Sequence, residues 1–113
     1  MAEPRDRETR KADAVAMLAT PAMDVWVATA SGQARLAVGP TRDVVMIDAV
    51  LEKAVGVAAD DALGAAYVAQ ADWDPRRVTG YVFLVLRPVR VQAWREANEI
   101  AGRTLMRDGS WLV

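Results

Sequence analysis

Between Val25 and Leu51 the chain carries three β-prone runs, VWVATA, ARLAV and VVMIDAVL, separated only by Ser31-Gly32-Gln33 and by a break that begins Gly39-Pro40-Thr41. Strands joined so tightly can pair only antiparallel, because a parallel neighbour needs a crossover of a dozen or more residues. Both connections have turn chemistry. The first run is apolar on both faces, the pattern of a strand covered on two sides. In the second, Arg35 points away from its apolar neighbours, and the third is open to continuation past Lys53 through Val55 and Val57 after a bend.

The remaining segments fit around that sheet. From Arg5 to Ala19 charged residues come first, and Ala12, Val15, Ala16 and Ala19 then recur at helical spacing, with Ala14 and Leu18 widening the stripe. Thr20-Pro21 ends this helix and Asp24 leads into the first strand. Asp60 or Asp61 caps a second helix, with Leu63, Ala66, Tyr67 and Gln70 on one side, ending before Asp72-Trp73-Asp74-Pro75-Arg76-Arg77. Tyr81 to Trp94 is the longest β-run, and Pro88 inside it requires an edge position or a bulge. Glu96 to Arg103 reads as a helical turn or loop, and Asp108-Gly109 as a tight turn between Thr104–Arg107 and Ser110–Val113. The order predicts a mostly β, antiparallel α+β fold, a small barrel with peripheral helices, in a single domain over residues 1–113.

Composition removes many functions. The 113 residues include no cysteine and no histidine, which excludes disulfides, thiol nucleophiles, imidazole bases and the common zinc, copper and haem ligand sets. Carboxylate-only Mg²⁺ or Ca²⁺ binding survives, at Asp60-Asp61 or at Asp72 and Asp74, although neither run has calcium-loop spacing. No apolar run approaches a membrane span and the N-terminal residues have no secretory core, so a cytoplasmic protein is expected. Net charge is −1, with seven acids against Lys53 between Asp43 and Asp74, and five arginines against three acids from Arg87 to Val113. A mildly basic C-terminal face suits an anionic small molecule. It lacks the clustered basic surface that nucleic-acid binding requires.

The succession ARLAVGPTRDVVMIDA, WDPRR, YVFLVLRPVRVQAWRE and AGRTLMRDGSWLV resembles the second half of pyridoxamine 5′-phosphate oxidase-like proteins, in particular the actinobacterial flavin- and deazaflavin (F420)-dependent members. The resemblance also takes in the helix Arg5 to Leu18 and the strand DVWVATAS. It implies a split β-barrel that binds FMN, or F420, between two subunits. In such relatives the strand matching DVWVATAS is followed by two more strands and a helix bearing a basic phosphate-binding motif. Here Ser31 runs straight into Gly32-Gln33-Ala34, so an internal stretch of roughly 30 to 40 residues is missing at ordinary element lengths. A truncated split barrel is therefore expected.

The resemblance carries cofactor contacts across only at matching positions. The polar residue after the proline turn, which reaches the flavin in relatives, corresponds to Asp43, preceded by Arg42. The oxidases' Arg-x-His-x-Arg strand pattern corresponds to Arg90, Gln92 and Trp94, which departs from it twice and argues against pyridoxamine 5′-phosphate oxidase activity itself. Trp94 can stack on a flavin ring or close the barrel end. Arg90 and Arg95 can fork onto a phosphate or pair with Glu96 or Glu99. Asp43 can accept from a flavin N–H or serve a cap or turn. Trp73 and Trp111 are expected to seal a core or a dimer contact. No residue is assigned a catalytic role, since in such proteins the cofactor carries the hydride and the protein orients it.

Three functional readings follow: an FMN- or F420-binding oxidoreductase-like protein, a degenerate non-catalytic member acting as a dimerising or binding module, or the product of an internal deletion with no function of its own. Loss of two strands also predicts open edges, an apolar patch including Trp26, Val45 and Ile47, and a homodimer or higher oligomer with Trp94 and Trp111 near its interface.

Overall fold

In the computed structural model, which describes residues 3–20 and 25–113, the turn chemistry sets the connections. Pro21 and Asp24, expected to end the first helix and to open the first strand, lie outside the described residues. Ser31 and Gly32 take φ of 51° and 76°, the paired left-handed conformations of a type I′ turn, whose twist matches that of the strands it joins. They fold β1 (Val25–Ala30) onto β2 (Gln33–Val38), with Val25 opposite Val38 and Ala30 opposite Gln33.

The chain then turns through Gly39 into β3 (Val44–Gly56), which pairs with β2 from Gln33↔Val50 to Val38↔Val45. Gly39 has φ of 90°, and a Cβ there would collide with the carbonyl oxygen of Asp43 and reach the Met17 sulfur at 2.8 Å. Only glycine fits this turn. β3 pairs along its length with β4 (Val82–Trp94), and the register shifts between Asp48 and Ala49, where Arg90 and Pro88 are the partners. Val89 is the extra residue, so the proline sits at a bulge.

β4 then pairs briefly with β5 (Thr104–Arg107), and β5 with β6 (Ser110–Trp111) around Asp108 and Gly109, whose φ of 51° and 80° make a second type I′ turn. The six strands form one antiparallel sheet in the order β1-β2-β3-β4-β5-β6. It stays open, with β1 at one edge and β6 at the other. The fold is thus mostly β and α+β, as the sequence pattern predicts.

One face of the sheet carries the core. Val38, Val45 and Ala93 form one cross-strand row, and Ile47, Val91 and Met106 the next. Across them lies α1 (Arg7–Leu18), which contributes Ala14 from its centre and the partly buried Met17 and Leu18 from its last turn; Leu105 is fully buried among them. Helical spacing places Val15 on the inner stripe, and the loss of two strands predicts Val45 and Ile47 in an exposed patch. Instead Val15 is 47% exposed, Val45 is buried under α1, and Ile47 packs against the core. The inner face of α1 is Arg10, Ala14, Met17 and Leu18, because Arg10 turns inward to donate to the carbonyls of Arg5, Glu99 and Ala101.

α2 (Asp61–Ala71) is peripheral. The Asp60 carboxylate caps it by accepting from Leu63 N at 2.9 Å, and Asp72 ends it in the left-handed region. Gly64 is its only buried residue, packed under the Arg76 side chain. Gln70 ties α2 to the end of α1 through the carbonyls of Leu18 and Thr20, and Tyr67 leans on Phe83 with ring centroids 5.2 Å apart. No helix among the described residues is long and apolar enough to cross a membrane.

Candidate functional site

The strand period of two places alternate residues of β4 on one face, so Arg90, Gln92 and Trp94 stand together opposite the core side of the sheet. Their cross-strand partners on β3 are Asp48, Met46 and Val44. Gln92 is buried. With its amide oxygen turned toward the two guanidinium groups, that oxygen accepts from Arg90 Nη2 and from Arg103 Nε, each at 3.2 Å. Arg90 itself is exposed, and Asp48 across from it is taken by Arg35, with contacts of 2.6 and 3.2 Å. Trp94 is partly buried at the end of the row, beside Val44.

Arg42 and Asp43 belong to a different set of contacts. Arg42, with a side chain 83% exposed, reaches only Glu96, at 4.0 Å. Asp43 takes part in the turn through its backbone N–H, which donates to Pro40 O, while its carboxylate lies 3.4 Å from Arg95. Arg95 in turn contacts Asp13 at 3.6 Å. The five residues expected at a cofactor site therefore fall into a polar row on β4 and an ion-pair chain on the β2–β3 turn. The two meet only where Val44 faces Trp94.

An unforeseen cluster gathers around Glu99, next to Arg95. Glu99, 2% exposed, accepts from Arg5 Nη2 at 2.8 Å, Arg5 Nε at 3.1 Å, the Arg5 backbone N–H at 2.9 Å and the Arg95 backbone N–H at 3.1 Å. The Arg10 guanidinium adds a contact at 3.8 Å. The Arg5 hydrogen bonds hold the Glu99 carboxyl at about 2, well below the usual carboxylate range, and the same pair raises Arg5. Glu99 was a candidate partner for the side chains of Arg90 or Arg95. Among the described residues it binds neither guanidinium, because its principal partner, Arg5, comes from 94 residues away and no spacing rule reaches that far.

Clefts that indent the surface among the described residues include four of about 370 to 540 Å³. None of the four is lined by Arg42, Asp43, Arg90, Gln92 or Trp94. One of about 540 Å³ lies along β1, β2 and β3 near Arg35 and Asp48. Two of the four acids considered for a cation are engaged: Asp60 caps α2, and Asp74 is chelated by Arg76, whose hydrogen bonds hold it at about 2. No group of three or more carboxylates able to hold a metal ion occurs among the described residues.

Trp73 and Tyr81 meet edge to face at 5.8 Å, and Trp111 receives the Lys11 ammonium 4.6 Å from its ring centre. Among the described residues Trp26 makes no such contact, and it is 81% exposed. No family model matches the chain, and no curated protein matches it significantly.

Proposed function

We propose that this chain is a non-catalytic, self-associating protein of the cytoplasm, a degenerate relative of the pyridoxamine 5′-phosphate oxidase-like split barrels, whose open sheet is completed by a second copy of itself. The observation that carries this reading is β1, an edge strand exposed at every one of its residues. Its Val25 and Val27 extend the two core rows, Val38–Val45–Ala93 and Leu36–Ile47–Val91, past the cover of α1. An apolar face joined to an unpaired edge is what a further chain covers.

The dimensions support the same reading. The radius of gyration is 15.5 Å, against about 13 Å for a compact domain of this length. The accessible surface is 7395 Å², against about 6,100 Å² for a monomer of this mass. The excess of about 1,300 Å² exceeds the roughly 800 Å² that each partner buries in an interface of standard size. Small-angle scattering of the wild type and of Val27→Lys tests the placement. The wild type should give the envelope of two chains and the variant that of one; a variant that assembles unchanged overturns the use of β1.

A second reading follows from the row on β4. Arg90 and Arg103 flank Gln92 beside the planar Trp94, an arrangement that favours an anion attached to a flat ring, as in FMN or F420. Trp94 would stack and the guanidinium groups would take the phosphate. Without the missing strands the grip is weak. Equilibrium dialysis separates the readings: a tight stoichiometric complex with either cofactor supports an oxidoreductase-like protein, and none supports the self-associating module.

A further inference from the structure

One corner of the molecule gathers cationic side chains that no carboxylate neutralises. Between the first turn of α1, the segment after Glu99 and the terminal hairpin lies a cleft of about 430 Å³, whose walls include Arg7, Arg103, Arg107, Thr104, Ile100 and Leu112. The nearby acids are committed elsewhere, Glu99 to Arg5 and Arg10, Asp13 to Arg5 and Arg95, and Asp43 to Arg95. Among the described residues, none of Arg7, Arg103 and Arg107 makes an ion pair.

Two of the three are oriented by neutral acceptors, which fix a guanidinium without cancelling its charge. Arg7 Nη2 donates to the Thr104 carbonyl at 2.7 Å, and Arg103 Nη1 to the Ile100 carbonyl at 2.9 Å. The Arg7 Nε is shut off from solvent and has no hydrogen-bond partner among the described residues. A buried donor left open is uncommon in native folds and calls for an explanation. Gly102, with φ of 73°, keeps the space beside Arg7 clear of a side chain. Ile100 and Leu112, each about two-fifths exposed, supply apolar wall.

The geometry points to a binding site for a phosphate-bearing small molecule, with Arg7, Arg103 and Arg107 on the phosphoryl oxygens and Ile100 and Leu112 against the body of the ligand. Guanidinium forks match phosphate oxygens, and a phosphate group offers a near-dianion with three strong acceptors to three cations. The site shares no residue with β1, and with the β4 row it shares only Arg103, whose Nε also reaches Gln92, so the Arg107 variant separates it from both functional readings.

Calorimetric titration at constant ionic strength with inorganic phosphate, adenosine 5′-monophosphate and adenosine tests it on the full chain. Saturable binding of both phosphates and none of adenosine is expected. Equal affinity for the two identifies free phosphate as the ligand, and tighter binding of the nucleotide identifies an organic phosphate held also by Ile100 and Leu112. Arg107→Gln removes a side chain that makes no hydrogen bond or ion pair among the described residues, so it should fold as the wild type does. It should weaken binding roughly tenfold, the loss of one charge-assisted contact, and Arg103→Gln should do the same. Absence of saturable heat with either phosphate, or unchanged affinity in both variants, overturns the site.

Discussion

Replacing Glu99 with glutamine keeps the shape of an enclosed side chain and removes its charge. The carboxylate, 3% exposed, faces the Arg5 guanidinium at 2.8 Å and Arg10 at 3.8 Å, both themselves largely enclosed. The variant leaves two buried cations against a neutral amide, and breaking a buried pair from one side costs about 3–5 kcal/mol. The lowered pKa of Glu99 leads to the same order of magnitude. Its pKa falls from 4.5 to about 2 on folding, which at about 1.4 kcal/mol per pH unit is on the order of 3 kcal/mol. Both are large beside a total stability of about 5–15 kcal/mol.

The sign of the pH dependence follows. Because the folded pKa lies below the unfolded one, the contribution is complete above about 4.5 and is lost as pH falls toward 2. Urea unfolding of wild type and Glu99→Gln at one protein concentration should therefore differ by about 3 kcal/mol at pH 7. The gap should close between pH 5 and pH 2. A difference under about 1 kcal/mol at neutral pH, or one that does not change with pH, would refute the view that this carboxylate clamps the N-terminal segment to the end of β4.

Other outcomes can be checked on the same footing. Leu105→Ala, at a fully buried position, should lower stability by about 3–5 kcal/mol in the same urea assay. Gly39→Ala should cost more than the ~1 kcal/mol of an ordinary left-handed glycine, since its Cβ would strike Asp43 O; an unperturbed melting temperature would contradict the turn geometry. Trp94→Ala should abolish weak flavin binding if the ring is a stacking surface, whereas a change in stability alone, at most about 3–5 kcal/mol, marks it as packing.

What could be read from the sequence follows the range of the interactions. Ser31-Gly32 and Asp108-Gly109 specify their turns locally, and both appear with the paired positive φ values those dipeptides favour. Pro88 announces a bulge because proline cannot donate to a ladder, and the register shifts beside it. Arg90, Gln92 and Trp94, grouped through the family's strand pattern, stand on one face of β4 because residues two apart on a strand share a face. The contacts of Arg42 and Asp43 with Glu96 and Arg95 depend on how the β2–β3 turn meets the end of β4, which periodicity does not encode. The inner face of α1 was misread because Arg10 looks like a solvent residue, and carbonyls and a carboxylate near the other end of the chain, with the Arg5 carbonyl, draw it inward.

Self-association is the central claim, and sedimentation velocity of the purified wild type from low to high micromolar concentration tests it most directly. The account predicts a dimer or higher species that dissociates, if at all, with loss of folded structure, because the apolar rows ending at Val25 and Val27 need a cover. A monodisperse, cooperatively unfolding monomer across that range would contradict it.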